Sequence, residues 1–360
     1  MKIAIMAITK NGSELAMKTA ESICKASDTE VVLYIKDSFM YKNSNVSFNV
    51  NPLKVPIYEL VKDIFEIFDA LVFVMASGIA VRTIAPLIKS KTTDPAVLVM
   101  DEQGRFVISL LSGHIGGGNS LTSEIAGLIG AVPVITTATD INGVISFDVF
   151  AGSNNLVIEN MDNLKYISSE LVNGNKVGLF SECTLRGNIP SEVVYLKDLS
   201  SKKVDNIKAM VVLSNRTDLF TKECKVLYLR PKNLVIGLGC KRGITKERVI
   251  EAVENALATK RKSIESVKCI ATIDLKADEK GLLEYCSEAE IELKIIPRDM
   301  VGKIEQQFKG SGFVKSKVGV SCVAEPCAYI AASKGSFIME KTSFKGITIA
   351  IFEEKLEMKI

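Results

Sequence analysis

Residues 106–130 read FVISLLSGHIGGGNSLTSEIAGLIG. A near-continuous apolar run, Phe106–Leu111, ends at Ser112, Gly113 and His114. Gly116, Gly117 and Gly118 follow, and from about Asn119 to Ile129 the apolar residues recur at helical spacing. Strand, glycine turn and helix are the first parts of a β-α-β unit. The same alternation extends outward. The apolar runs KIAIMAI, EVVLYI, ALVFVMA, AVLVMD and VPVIT are short, and helical patterns occupy roughly 13–26, 56–68 and 79–88 between them. Strands that are apolar at nearly every position belong to a sheet covered on both faces. These residues predict an α/β domain with a mostly parallel sheet flanked by helices. DEQG, residues 101–104, reads as a hairpin turn and predicts one antiparallel pairing.

Beyond residue 141 the pattern changes. AGSNN, VNGNK and LRGNIPSE are rich in turn formers, and KVGLF, EVVYL, AMVVLS and KVLYL are short strands. A small α/β middle domain is expected over 142–232, ending at RPKN. LVIGLGC then opens a third α/β unit, 233–360, with Thr245 as candidate cap of a helix carrying Val249, Val253 and Leu257. Further strands are expected at VKCIATI, ELKIIP and GITIAIF, with helices near 280–289, 299–308 and 324–332. The expected architecture is therefore multi-domain α/β with domains at 1–141, 142–232 and 233–360.

Composition removes several function classes. Lys and Arg number 45 against 42 Asp and Glu, with no dense basic block, and tryptophan is absent. Nucleic-acid surfaces need a basic stripe with stacking rings, so none is expected. Apolar runs stop well short of the roughly 18 residues that span a bilayer, and TKNG follows the apolar start where a cleavage site would need small residues. A cytoplasmic location without membrane contact is expected. The eight cysteines form no CxxC pair and His114 is the one histidine, so no protein metal site is expected.

Three constellations carry chemistry. At 112–119 the glycine turn meets a helix N-terminus, where unpaired N–H groups and the helix dipole favour a carboxylate or an oxyanion. His114 beside it is a candidate general base or acid. The same residues also suit a plain tight turn with a structural histidine, and composition alone leans that way. GLGCKRGIT, residues 237–245, is a loose dinucleotide-type turn in which Lys241 and Arg242 would meet anions. Asp274 closes the next strand, and Cys240 is either an activated thiol or, more simply, a buried cysteine. Arg82, Lys91, Asp94, Asp101 and Glu102 flank buried strands, whose ends form the crevice where open α/β sheets bind ligands. TTATD, residues 136–140, either lines the same crevice or caps a helix.

Taken together, ASGIAVRTIAPLIKSKTTDPAVLVMDEQGRFVISLLSGHIGGGN (76–119) and PVITTATD (133–140) resemble the CbiG family of cobalamin-biosynthesis proteins, the cobalt-precorrin-5A hydrolases. GLGCKRGIT, ATIDLKADEKGLLE, VGVSCVAEPCAYIAA and MEKTSFKGITIAIF are similar to that family's C-terminal region. Two small departures are Gly118 and Cys327, where the family tends to carry alanine. The resemblance implies opening of the ring A lactone of cobalt-precorrin-5A by water and release of acetaldehyde, giving cobalt-precorrin-5B. The metal comes inside the substrate, so no cofactor is implied. A polycarboxylate substrate calls for Arg, Lys and helix N-termini. Expected catalytic residues are His114 as general base, oriented by Asp140 or Asp101, with the N–H groups of Gly116, Gly117 and Gly118 holding the oxyanion. Expected substrate-binding residues are Arg82, Lys91, Ser112, Gly113, the three glycines, Asn119 and Thr137, and in the last domain Gly239, Cys240, Lys241, Arg242, Gly243, Asp274, Lys276 and Glu325. The resemblance is compatible with a homodimer and with transient contacts to other corrin-pathway enzymes. Two rivals stay open on the residues alone: a non-catalytic corrinoid carrier and a dinucleotide-dependent enzyme.

Overall fold

A computed structural model describes residues 1–39, 47–53, 56–90, 93–114, 116–199, 207–219 and 224–360. The chain forms two compact units, Met1–Val149 and Phe150–Ile360. In the first, the strands are β1 (Lys2–Ala7), β2 (Glu30–Ile35), β3 (Asn49–Pro52), β4 (Ala70–Val74), β5 (Ala96–Met100), β6 (Phe106–Leu111) and β7 (Val132–Val134). Its helices are α1 (Lys10–Ala26), α2 (Ile57–Ile64), α3 (Ser77–Ile84), α4 (Gly118–Ile129) and the short α5 (Ala138–Ile141). The sheet order is β3-β2-β1-β4-β5-β6-β7.

Strand alternation divides the apolar residues between two cores. Ile3, Ile5 and Ala7 pack with Ala16, Ala20 and Ile23 of α1 and with Leu121 and Ile125 of α4. Ala4 and Met6 pack on the other face with Leu60, Val61 and Ile64 of α2 and with Ala80 and Ile84 of α3. This two-sided burial is why the strands read as continuous apolar runs.

The DEQG turn has a larger consequence than one antiparallel pair. β5 and β6 are antiparallel, with Met100 opposite Val107 and Val97 opposite Leu111, while β6 and β7 are parallel. β6 and β7 therefore run against β1, β4 and β5, which are parallel to one another. The carboxyl ends of β1 and β4 meet the Asp101 turn, where Thr9 Oγ1 donates to Glu102 Oε2 at 2.8 Å. The carboxyl ends of β6 and β7 lie at the opposite end of the sheet, about 20 Å away along a six-residue strand. β6, α4 and β7 thus form a β-α-β unit of their own, with the glycine turn at its strand-to-helix joint.

Helix α6 (Phe147–Ser153) carries the chain into the second unit. There, β8 (Leu156–Ile158), α7 (Met161–Val172), β9 (Val177–Ser181), β10 (Thr184–Arg186), β11 (Val193–Leu196), β12 (Ala209–Leu213) and β13 (Lys225–Pro231) come first. Four of these strands and β8 make a sheet ordered β11-β9-β12-β13-β8, parallel except for β8. Next come β14 (Leu234–Cys240), α8 (Lys246–Thr259), β15 (Val267–Ile273), α9 (Lys280–Glu288), β16 (Glu292–Ile296), α10 (Arg298–Ile304), α11 (Gly312–Val318), α12 (Ala324–Ala331), β17 (Gly335–Phe344), β18 (Ile347–Glu354) and β19 (Glu357–Lys359). Their sheet is ordered β16-β15-β14-β18-β17, with β18 antiparallel to both of its neighbours. Beyond GITIAIF, β19 adds a strand that the sequence analysis does not expect, and it pairs in parallel with β10. Among the described residues no helix is long and apolar enough to cross a membrane.

Candidate active site at the carboxyl ends of β6 and β7

The glycines of the loop answer first to sterics. A side chain at Gly113 would stand 2.5 Å from Asn119 Oδ1, and one at Gly116 would stand 2.5 Å from Ser112 Cβ. Gly117 has φ +75°, and among the described residues nothing lies within 4 Å of where a Cβ would stand, so only its backbone demands glycine. Gly117→Ala is accordingly expected to lower stability by about 1–2 kcal/mol, the cost of a left-handed alanine, read as a lower urea midpoint for the first unit.

The oxyanion expectation is corrected here for Gly117 and Gly118. Gly117 N–H donates to His114 O at 2.8 Å and Gly118 N–H donates to Ser112 O at 3.1 Å, while Asn119 N–H donates to Gly113 O at 2.8 Å. These groups close the turn on itself and are not offered to a ligand. Ser112 does something else. Its φ is +53°, a strained value for a residue with a side chain, and its buried Oγ has no hydrogen-bond partner among the described residues.

What the turn builds is a polar array around His114. Nε2 lies 2.7 Å from Asp140 Oδ2 and Nδ1 lies 3.2 Å from Asp148 Oδ2. Thr139 Oγ1 is 3.0 Å from Nε2, and Ser146 Oγ is 3.2 Å from Nδ1. Ser146 Oγ also donates to Asp148 Oδ1, which accepts from Val149 N–H at 3.0 Å. Asn119 Nδ2 donates to Asp140 Oδ2 at 2.8 Å and to Thr137 Oγ1 at 3.0 Å, and Ser109 Oγ donates to Asn119 Oδ1 at 2.7 Å. β6, α4, α5 with the residue before it, and the start of α6 with the residue before it each supply members. The side chain of Asp148 is 9% exposed and that of Asp140 is 40% exposed, so one carboxylate anchors the ring while the other faces outward.

The electrostatics follow from those contacts. The hydrogen bond to Asp148 raises the His114 pKa; burial opposes it, and Asp140 adds to the rise. Burial by itself would raise the Asp148 pKa, but the hydrogen bonds from His114 and Ser146 overcome it and bring the carboxyl down to about 2.

The expected residues divide by place. His114, Ser112, Gly113, Gly116, Gly117, Gly118, Asn119, Thr137 and Asp140 gather at this end of the sheet. Asp101 does not join them. It sits in the β5–β6 turn and accepts from the N–H groups of Gln103, Arg105 and Phe106 at 3.3, 2.8 and 2.8 Å, because the strand reversal puts that turn at the far end. Arg82 folds back on its own helix, Nη1 donating to Gly78 O at 3.0 Å. Asp94, 6% exposed, accepts from the N–H groups of Lys89 and Ser90. Lys91 lies outside the described residues. Asp148, Ser146 and Ser109 are the members that sequence reasoning missed.

GLGCKRGIT is likewise corrected. Its turn is already occupied from within: Glu279, 3% exposed, accepts from Gly243 N–H at 2.7 Å and Ile244 N–H at 3.0 Å. Lys276 reaches the same carboxylate at 3.4 Å, and Arg242 pairs with Asp278. An internal anion fills the place where a pyrophosphate would bind. A side chain at Gly237 would overlap Ala324 O, so this glycine admits α12 against β14, whereas one at Gly239 would make only ordinary contact with Val323. Burial pushes the Cys240 thiol up to about 11, outweighing Lys276 and Arg242, so it is no activated nucleophile. Lys241 N–H bonds to Gly346 O at 3.4 Å. Asp274 pairs with Arg298 at 2.8 Å. Glu325, 6% exposed, accepts from Lys341 N–H at 3.2 Å through one oxygen, and its other oxygen has no partner among the described residues.

A β-α-β joint that holds one imidazole between two carboxylates defines an α/β protein whose polar array is chemically able to take up and release protons. The comparisons narrow that class. The family descriptions "Cobalamin synthesis G N-terminal", "Cobalamin biosynthesis central region" and "Cobalamin synthesis G C-terminus" match residues 59–140, 145–231 and 234–352. The chain belongs to the cobalamin synthesis G family, CbiG. It is 35% identical over 297 residues to a cobalt-precorrin-5A hydrolase of Salmonella typhimurium, covering 80% of this chain and 82% of that one. It is 33% identical over 358 residues to a cobalt-precorrin-5A hydrolase of Priestia megaterium, covering 97% and 94%.

Proposed function

We propose that the chain is a cobalt-precorrin-5A hydrolase of anaerobic cobalamin biosynthesis. It opens the ring A lactone of its substrate with water and releases acetaldehyde to give cobalt-precorrin-5B. The likeness to two hydrolases of that name, along 80% and 97% of the chain, carries the reading. The substrate is a cobalt-bearing tetrapyrrole, so the metal enters with it and no separate cofactor is part of the proposal. The reaction belongs at the carboxyl ends of β6 and β7, where Asp140 is the outward-facing member of a fixed proton-handling array. The strained Ser112, whose hydroxyl has no partner among the described residues, supports the same place, since strained backbone and unsatisfied buried polar groups are uncommon and cluster at functional sites. A cytoplasmic location fits a pathway intermediate handed between enzymes, and a homodimer is the assembly to test by sedimentation.

Anaerobic incubation of the purified chain with cobalt-precorrin-5A tests the activity. Multiple turnovers of acetaldehyde, trapped as its hydrazone, are expected, together with the lactone-opened corrinoid. Stoichiometric binding of the corrinoid without acetaldehyde would make the protein a carrier.

A further inference from the structure

We propose that Asp148 is the positioning residue of this site, that it and Asp140 hold His114 between them as an imidazolium, and that the proton of the attacking water goes to Asp140 and not to the ring. The proposal rests on the hydrolase reading for its substrate, but the state of the ring does not.

Donor counting carries the argument. A neutral imidazole has one N–H and one bare nitrogen. Nε2 stands 2.7 Å from Asp140 Oδ2, so it must carry a proton; a lone pair at that distance from a carboxylate would be repelled. Nδ1 faces Asp148 Oδ2 and Ser146 Oγ, each at 3.2 Å. Ser146 has one hydroxyl proton, and it is committed to Asp148 Oδ1. Neither of these two groups has a proton left for Nδ1, so Nδ1 is a donor too. A ring that donates from both nitrogens is the cation. Asp140 on α5 and Asp148 on α6 are the charged groups that bear on it; Thr139 and Ser146 are neutral.

A cation with both N–H groups engaged has no site for a proton from water, so it cannot be the general base. Asp140 has one. Its Oδ2 accepts from His114 and Asn119, which fixes the carboxylate in place and leaves Oδ1 as the oxygen without a partner among the described residues. The step balances there. An O–H bond of water breaks and its proton passes to Oδ1, while the water oxygen forms a bond to the lactone carbonyl carbon. The ring C–O bond of the tetrahedral intermediate then breaks, and the departing oxygen takes the proton back from Oδ1. One water is consumed, one carboxyl and one hydroxyl are made, and Asp140 and His114 end in their starting states. Asp148 touches no substrate in this scheme and acts through the ring.

The chain's one histidine makes the test direct. Nitrogen-15 NMR of labelled wild-type protein is expected to show an imidazolium at neutral pH, titrating above the ordinary value of about 6.5. Asp148→Asn is expected to lower that midpoint. In kcat/KM the same variant should move the alkaline limb to lower pH with KM little changed, and Asp148→Glu should restore part of the shift. A neutral ring in the wild type at pH 7 would overturn the proposal, and so would activity that rises with pH through the histidine titration. If the wild type makes no acetaldehyde from cobalt-precorrin-5A, the hydrolase reading fails, while the NMR titration still decides the state of the ring.

Discussion

Asp140→Asn is expected to reduce acetaldehyde release from cobalt-precorrin-5A by about 100- to 10,000-fold, the range for loss of a positioned proton acceptor. The amide matches the carboxylate in shape but cannot take a proton at Oδ1. The loss should fall on kcat: the isosteric change keeps the shape of the site, and Asp148 still holds the ring although the part of its raised pKa that Asp140 supplies is lost. Single-turnover kinetics with corrinoid bound before the quench separates the two parameters. The Asp101→Asn variant is the control. Its carboxylate accepts three N–H groups of a turn at the opposite end of the sheet, so its kcat should match wild type even where its stability falls. Loss of turnover in Asp101→Asn with normal kinetics in Asp140→Asn would move the reaction to the carboxyl ends of β1 and β4. The pH dependence of stability should carry the same signature. Asp148, held at about 2, stabilises the fold above its unfolded pKa, and that contribution fades as pH falls toward 2. His114, whose pKa is raised, stabilises the fold below its unfolded pKa, and its contribution is lost as pH rises through the folded value.

Much of this site is legible in the sequence, and the missing part has a definable cause. The strand, glycine turn and helix at 106–130 announce themselves because apolar period and glycine placement are local properties. DEQG announces a reversal for the same reason. That Asp101 lies at one end of the sheet and His114 at the other follows from the six residues of β6 between them. Charges on either side of that strand read as neighbours only while its length is left out of account. Asp148 is hidden differently. NGVISFD has neither period, and the pairing of Asp148 with His114 spans 34 positions. A usable signal is present: a lone histidine in a polar loop needs partners for both nitrogens, and Ser146 with Asp148 just ahead of the apolar VFA is a pattern that opens helices. In the second unit the short strands β9, β11, β12 and β13 are readable by their apolar runs, whereas β19, three residues long, is defined only by its partner β10.

The reading of GLGCKRGIT fails because a glycine turn at a helix start shows that an anion is wanted without showing where the anion comes from. Here it is Glu279, supplied from the lead-in to α9 and buried against the turn with Lys276. This has a measurable consequence. Glu279→Ala leaves the ammonium of Lys276, a residue 8% exposed, without its counter-charge and leaves two N–H groups unpaired. Removing one partner of such a buried pair costs about 3–5 kcal/mol. The second unit of Glu279→Ala should therefore unfold at markedly lower denaturant, followed by circular dichroism. Combining Glu279→Gln with Lys276→Met removes both charges and keeps a hydrogen-bond acceptor near Gly243 and Ile244. That double variant should recover most of the loss, because an uncompensated buried charge, and not the missing attraction, dominates the penalty. If the turn instead served a phosphate ligand, added inorganic phosphate would raise the wild-type midpoint. The internal carboxylate predicts that phosphate leaves the wild-type midpoint unchanged, since the two N–H groups that would receive it already hold Glu279 at 2.7 and 3.0 Å.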